Sequence, residues 1–230
     1  TQPTYDEIMA AGRKAIRSKK EEYGEIVYRP VDRRENYVKR CVGLPGDMFE
    51  IRNNQIYVNG VPQEDHPGIQ FNYYVQTDGR YLSSDMQTKM GISKEDRHIL
   101  NAQYDFHLIS YLGMDPAKPI YHFPLTQDMY QKMQRHPGVE RIVIEPYELG
   151  GDVFPLGSGK AWNRDNMGPI YIPKKNQTLK LDEDNFALYE RIIRVYEHNT
   201  LERKGDVFVI NGVETDSYTF KMDYYWMMGD

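Results

Sequence analysis

The sequence predicts a mainly β fold, a core of strands and hairpins with an inserted α+β region. Three observations carry this. Residues 50–61 read EIRNNQIYVNGV and residues 202–213 read ERKGDVFVINGV, each a strand, a polar turn, a second strand and then Asn-Gly. Residues 37–42 form an apolar, alternating run that ends at Gly-Leu-Pro-Gly-Asp. Most helix signals fall between the two hairpins. The simplest layout puts residues 1–65 and 199–230 in one β-rich core and treats residues 66–198 as an inserted α+β domain. Asn-Gly hairpins are common, so chance likeness is the alternative at this level.

The elements follow in order. Thr4 to Glu7 has the spacing of a capping box, and Ile8, Ala11 and Ile16 follow at helical intervals, so residues 5–19 read as a helix. Gly24 breaks it, residues 25–28 are strand-like, and Pro30 stops them. Residues 37–42 make the next strand. Pro45 and Gly46 suit the two central positions of a type II turn, with Asp47 placed to accept backbone amides. Asn53-Asn54 and Gly205-Asp206 supply the tight turns of the two hairpins. Inside the insertion, residues 93–96 look like a cap leading to a helix near 103–112, and residues 126–135 look like a second helix stopped by Pro137-Gly138. Residues 139–146 are strand-like, and residues 157–173 read as a surface loop. Residues 184–198 are amphipathic, with Phe186, Tyr189, Ile192, Ile193 and Tyr196 on one face.

Composition narrows the function. The chain has 230 residues, 40% hydrophobic and 27% charged, with a net charge of −5. That is globular material with no basic block, which argues against nucleic acid as a partner. The longest apolar runs fall far short of a membrane span. A lone cysteine, Cys41, cannot form an intrachain disulfide. The six histidines show no metal-ligand spacing, the carboxylates no catalytic pairing, and there is no phosphate-binding glycine loop. No cofactor is expected. The 19 tyrosines read as an aromatic β core with hydroxyls at its surface.

Lys39 is the residue with chemical promise. In a strand, Tyr37, Lys39 and Cys41 share one face and Val38, Arg40 and Val42 the other. A lysine enclosed by apolar groups is driven toward its neutral form because desolvation penalises the ammonium, and a neutral amine is a base. The plain alternative is an edge-strand lysine in water.

Residues 37–47, Tyr-Val-Lys-Arg-Cys-Val-Gly-Leu-Pro-Gly-Asp, resemble the lysine box of the type I signal peptidases. Residues 56–60 resemble the hairpin after that box, residues 24–28 the family's Gly-Asp-Ile-Val strand, and residues 224–230 the lead-in to its last box. Residues 162–166 and 173–175 are similar to the extended enzymes of Bacteroides-like bacteria. The resemblance implies a membrane-anchored serine endopeptidase that removes signal peptides from exported preproteins at the outer face of the bacterial inner membrane. It needs no cofactor. Its fold is largely β, with a variable, non-catalytic domain inserted after the lysine box. Carried over by position, Lys39 is the general base, and Tyr37 and Met227 are apolar walls around it. Gly43, Pro45, Gly46 and Asp47 form the loop that positions it. Asn36, Tyr37 and Val38 are the edge that pairs with an extended signal peptide.

The family's nucleophile lies in a Ser-x-Met-x-Pro box, which does not occur in these 230 residues. Ser18 sits between Arg17 and Lys19, and neither Ser83-Ser84 nor Ser158 fits the pattern. The closing Ser-x-Asp-Ser-Arg is absent too. The expectation is therefore a soluble, inactive piece of a signal peptidase, with its anchor and serine elsewhere in a longer parent. The sequence opens without methionine and stops in an apolar run, in keeping with that expectation. The alternative is a serine-less relative that binds peptides or proteins in the periplasm. An aromatic carbohydrate-binding surface is a third, weaker possibility.

Overall fold

The computed structural model describes residues 5–34, 36–156, 159–205 and 207–229. The chain divides into two compact units, one drawn from Thr1–Gln63 and Gly151–Gly229, the other Glu64–Gly150. Strands in antiparallel sheets dominate, so the protein is mainly β with a few helices. Thr4, Ser158, Asp206 and Asp230, which carried part of the sequence argument, lie outside the described residues.

The first unit opens with helices α1 (Tyr5–Ser18) and α2 (Lys20–Tyr23). Residues 25–28, expected as a strand, belong to none. Ile26, Val27 and Tyr28 stand 53–80% exposed and pair with no described strand. Four strands come next: β1 (Arg40–Gly43), β2 (Met48–Arg52), β3 (Gln55–Val58) and β4 (Val61–Pro62). Asn53 and Asn54 both have positive φ, as a two-residue hairpin of this twist demands. Asn59 and Gly60 repeat that geometry between β3 and β4.

The second unit is a four-stranded antiparallel sheet of β5 (Gln70–Thr77), β6 (His98–Ile99), β7 (Ile120–Thr126) and β8 (Val139–Ile144), in the order β6-β7-β5-β8. Its helices are α3 (Ser84–Lys89), α4 (Phe106–Tyr111) and α5 (Gln127–Gln134). Side chains alternate across the sheet, so it builds two cores. Val75, Tyr121, Phe123 and Leu125 pack with Met129 and Met133 of α5, while Tyr74 and Ile120 pack with Ile109, Leu112 and Met114. Helix α3 has no counterpart among the sequence expectations, although Ser83 caps it by accepting from the Met86 amide. Residues 93–96 form a turn, closed by Ser93 Oγ donating to Asp96 at 2.6 Å.

The chain then returns to the first unit through β9 (Met167–Tyr171), β10 (Thr178–Lys180), α6 (Glu183–Arg191), β11 (Leu201–Lys204), β12 (Val207–Ile210), β13 (Val213–Thr215), β14 (Ser217–Thr219) and β15 (Trp226–Met228). Here two expectations change. Residues 157–173 are not a surface loop throughout: β9 pairs with β2, and Met167, Ile170 and Ile172 are buried. The return to the core was expected at residue 199, whereas the compact unit resumes at Gly151. The reason is packing, because Leu188, Tyr189 and Ile193 share one hydrophobic cluster with Phe49, Ile51 and Phe208. A capping box formed by Asp182 and Asn185 starts α6. The helix ends in a π turn at Ile192–Tyr196. That wider turn buries Ile193 and Glu197 and leaves Tyr196 about half exposed, so Tyr196 leaves the expected apolar face.

The two similar hairpins are structurally equivalent. Each extends to a three-stranded meander, β2-β3-β4 and β11-β12-β13. Arg52 faces Gln55 in one and Lys204 faces Val207 in the other, the same register. The Asn-Gly asparagine does the same work in both. Asn59 Oδ1 accepts from the Met48 amide and its Nδ2 donates to Asp47. Asn211 Oδ1 accepts from the Thr200 amide and its Nδ2 donates to Asn199.

Candidate active site

The lysine segment is held by a two-stranded ribbon. Strand β1 pairs antiparallel with β15, Arg40 opposite Met228, Cys41 opposite Met227 and Gly43 opposite Trp226. Alternation gives the ribbon an inner and an outer face. Val42, Trp226 and Met228 turn inward and pack on the core, with the Trp226 and Phe49 rings stacked at 5.0 Å. Cys41 and Met227 lie on the outer face, Met227 half exposed.

Lys39 stands one residue before β1. A Cβ built on Gly229 would come within 3.5 Å of Lys39 Nζ, so the amine rests against the backbone that leaves β15. Tyr37 is also near it, with its ring centre 5.8 Å from Nζ. One expectation is corrected here. The strand does not span residues 37–42: it starts at Arg40, and its ladder with β15 stops at the Arg40–Met228 pair. Residues 36–39 lie in no strand, with Tyr37 75% and Val38 93% exposed. Lys39 is likewise exposed. Tyr37 approaches one side, and Met227 sits two positions along the ribbon, opposite Cys41.

The loop after β1 matches the sequence expectation closely. Asp47 N donates to Leu44 O at 3.0 Å, and Gly46 has φ +97°, closing the turn expected of Pro45-Gly46. Asp47 is the brace: Oδ2 accepts from the Leu44 amide and Oδ1 from Asn59 Nδ2, both at 2.8 Å. The loop is joined to Ile172, the residue after β9, by Gly46 N to Ile172 O and Ile172 N to Asp47 O, each 2.8 Å. Gly43 is buried where a side chain would collide with Ile172 Cδ1 and approach Trp226 Cβ to 3.3 Å. Sequence reasoning missed Asn59 and Ile172 as partners of this loop. The Asn-Gly step flagged Asn59 as a turn residue, but not the reach of its side chain.

The Trp162 to Asn166 segment also acquires a structural role. Asp165 O accepts from the Asn54 amide and Asn166 Oδ1 from the Asn53 amide, so it holds the tip of the β2–β3 hairpin. Among the described residues no group of three or more His, Cys, Asp or Glu is arranged to hold a metal ion, and no helix is long and apolar enough to cross a membrane.

This first unit is mainly β, with a lysine just before β1 and a Pro-Gly-Asp turn just after it, and comparison with known proteins finds similar stretches. Residues 6–106 match the family profile of signal peptidase, peptidase S26. Signal peptidase IB of Staphylococcus aureus (strain Mu50 / ATCC 700699) is 37% identical over 68 residues, 30% of this chain and 35% of the relative. Signal peptidase I of Buchnera aphidicola subsp. Acyrthosiphon pisum is 26% identical over 172 residues, 70% of this chain and 52% of the relative. Over these stretches the chain is similar to signal peptidases. It spans about a third to a half of the curated relatives it matches. No solved structure matches it.

Proposed function

We propose that these residues supply the base half of a membrane-anchored serine endopeptidase that removes signal peptides from exported preproteins, acting at the outer face of the bacterial inner membrane. The observation that carries this is the position of Lys39, at the open end of the β1–β15 ribbon, against Gly229 and next to residues 36–38 outside the sheet. In this reading an extended substrate pairs its backbone with residues 36–38, as added strands do. That puts its scissile carbonyl beside the lysine. A serine from outside these residues attacks the carbonyl carbon while Lys39 takes the hydroxyl proton. The tetrahedral species collapses to an acyl-enzyme, and the same proton goes to the leaving amine. Water then attacks the ester, Lys39 again takes and returns a proton, and acid and free serine result. No metal or cofactor is needed. These 230 residues, lacking Ser-x-Met-x-Pro, are inactive on their own.

The test is a signal-peptide cleavage assay on a longer natural polypeptide that holds these residues together with the serine. Lys39→Ala should abolish cleavage, and retained activity sinks the proposal. The second reading, a non-catalytic peptide-binding module, is favoured by the exposed edge at Tyr37 and Val38. Saturable binding of a signal-peptide mimic with no cleavage by any natural polypeptide containing this chain would establish it instead.

A further inference from the structure

We infer that Glu197 is a positioning residue for Lys39, anchoring the backbone segment that brings strand β15 to the lysine. The inference rests on the reading of Lys39 as the base. Glu197 is 5% exposed, and a buried carboxyl group is costly unless donors surround it. Here all the donors come from one short stretch. Tyr218 OH donates to Oε2 at 2.5 Å and Tyr224 OH to Oε1 at 3.2 Å. The Lys221 amide lies 2.9 and 3.0 Å from the two oxygens, and the Met222 amide donates to Oε1 at 3.2 Å. Residues 218–224 therefore fold around a single side chain, and β15 begins two residues later.

The buried Asn199 reinforces the grip. Its Nδ2 donates to Tyr218 OH at 2.7 Å, and Lys221 Nζ donates to its Oδ1 at 3.0 Å. The π turn explains how Glu197 reaches the interior. Glu197 N donates to Ile192 O, five residues back, at 2.9 Å. One extra residue in a helical turn rotates the downstream residues by about 100°, which brings Glu197 inward. Such a turn is an unusual element to keep unless the residue it aims is needed, and wide turns of this kind gather at functional sites.

From this anchor the path to the lysine is short. Tyr224 N donates to Pro173 O at 3.0 Å, Trp226 stacks on Phe49, and Gly229 lies against Lys39. A shift at residues 221–224 has few other places to go than along β15. Glutamine at position 197 keeps the shape but replaces one acceptor oxygen with a donor, so it cannot receive all four groups.

The test uses the 230-residue chain with its lysines reductively ¹³C-methylated, Lys39→Arg assigning the Lys39 signal. Glu197→Gln should move both the Lys39 methyl resonance and the Gly229 amide resonance while the amides of residues 64–150 stay in place. Tyr224→Phe, which removes one donor, should give a smaller move in the same direction. If both variants fold and neither signal moves, the inference is wrong; if Glu197→Gln does not fold, Tyr224→Phe decides by the same criterion. In the longer polypeptide, Glu197→Gln should lower kcat by up to ~100-fold, the scale of an ångström-level misplacement, with KM little changed. Glu197→Asp should recover part of that loss. Parental cleavage by Glu197→Gln beside a dead Lys39→Ala overturns this inference alone, whereas an active Lys39→Ala overturns the reading beneath it.

Discussion

Replacing Gly43 by alanine tests the packing behind the lysine loop. The added methyl would collide with Ile172 Cδ1, the far end of a side chain only 2% exposed, and would crowd Trp226 Cβ at 3.3 Å. Forcing an extra carbon into a packed core costs about 1–3 kcal/mol. At about 2–4 °C per kcal/mol for a body of this size, Gly43→Ala should lower the melting temperature by roughly 2–12 °C. The collision names its own remedy, because Ile172→Val removes the offending Cδ1. Alone, Ile172→Val should cost about 0.5–1.5 kcal/mol. Combined with Gly43→Ala it should cost less than the sum of the two, since the new methyl fills the space left by the lost one. The assay is thermal unfolding of both single variants and the pair, monitored by circular dichroism. Strict additivity, or a Gly43→Ala melt that matches the parent, would refute the reasoning.

Three further outcomes are expected. Asn59→Ala and Asn211→Ala each remove the same pair of side-chain bonds at a positive-φ turn, so in urea unfolding each should cost about 1–3 kcal/mol. A large cost at one site and none at the other would break the equivalence of the two meanders. Gly168→Ala should be worse than Gly43→Ala, because the new carbon would meet backbone, 2.8 Å from Phe49 O, at φ +101°; faster proteolysis of the first unit would show it. Burial chiefly holds the Tyr189, Tyr218 and Tyr224 hydroxyls well above the usual phenol range, with Glu197 adding to the last two. Their folded pKa values are raised, so the stability they contribute is complete below about pH 10 and is lost as pH climbs beyond it. An ultraviolet titration should show these phenols ionising only together with unfolding, and Tyr218→Phe should flatten the alkaline loss.

The local signals that survived are ones where a short stretch contains all the partners. Pro45-Gly46 closes the expected turn, and Asn53-Asn54 makes the expected hairpin because two adjacent residues of positive φ leave the chain little other choice. The start of α5 at Thr126 was legible for the same reason, whereas α3 and the Asp182–Asn185 box that starts α6 were missed. Reading failed where a partner lay far away in sequence. Residues 25–28 have the composition of a strand and pair with no described strand. Residues 157–173 have the composition of a loop, yet part of them is a strand because β2 needs a partner.

The candidate site divides along the same line. Sequence alone determined the turn after Gly43 and the likeness of the two meanders, since each is written in contiguous residues whose φ preferences and alternation act locally. Only the tertiary structure decided that β1 pairs with β15 from Arg40 onward and that Lys39 lies against Gly229. It also decided that residues 151–198 pack with the hairpin core, and that Glu197 gathers the stretch before β15. Those outcomes depend on which surfaces exclude water together and which donors meet which acceptors across some 20 to 190 residues of chain, and no local preference encodes that.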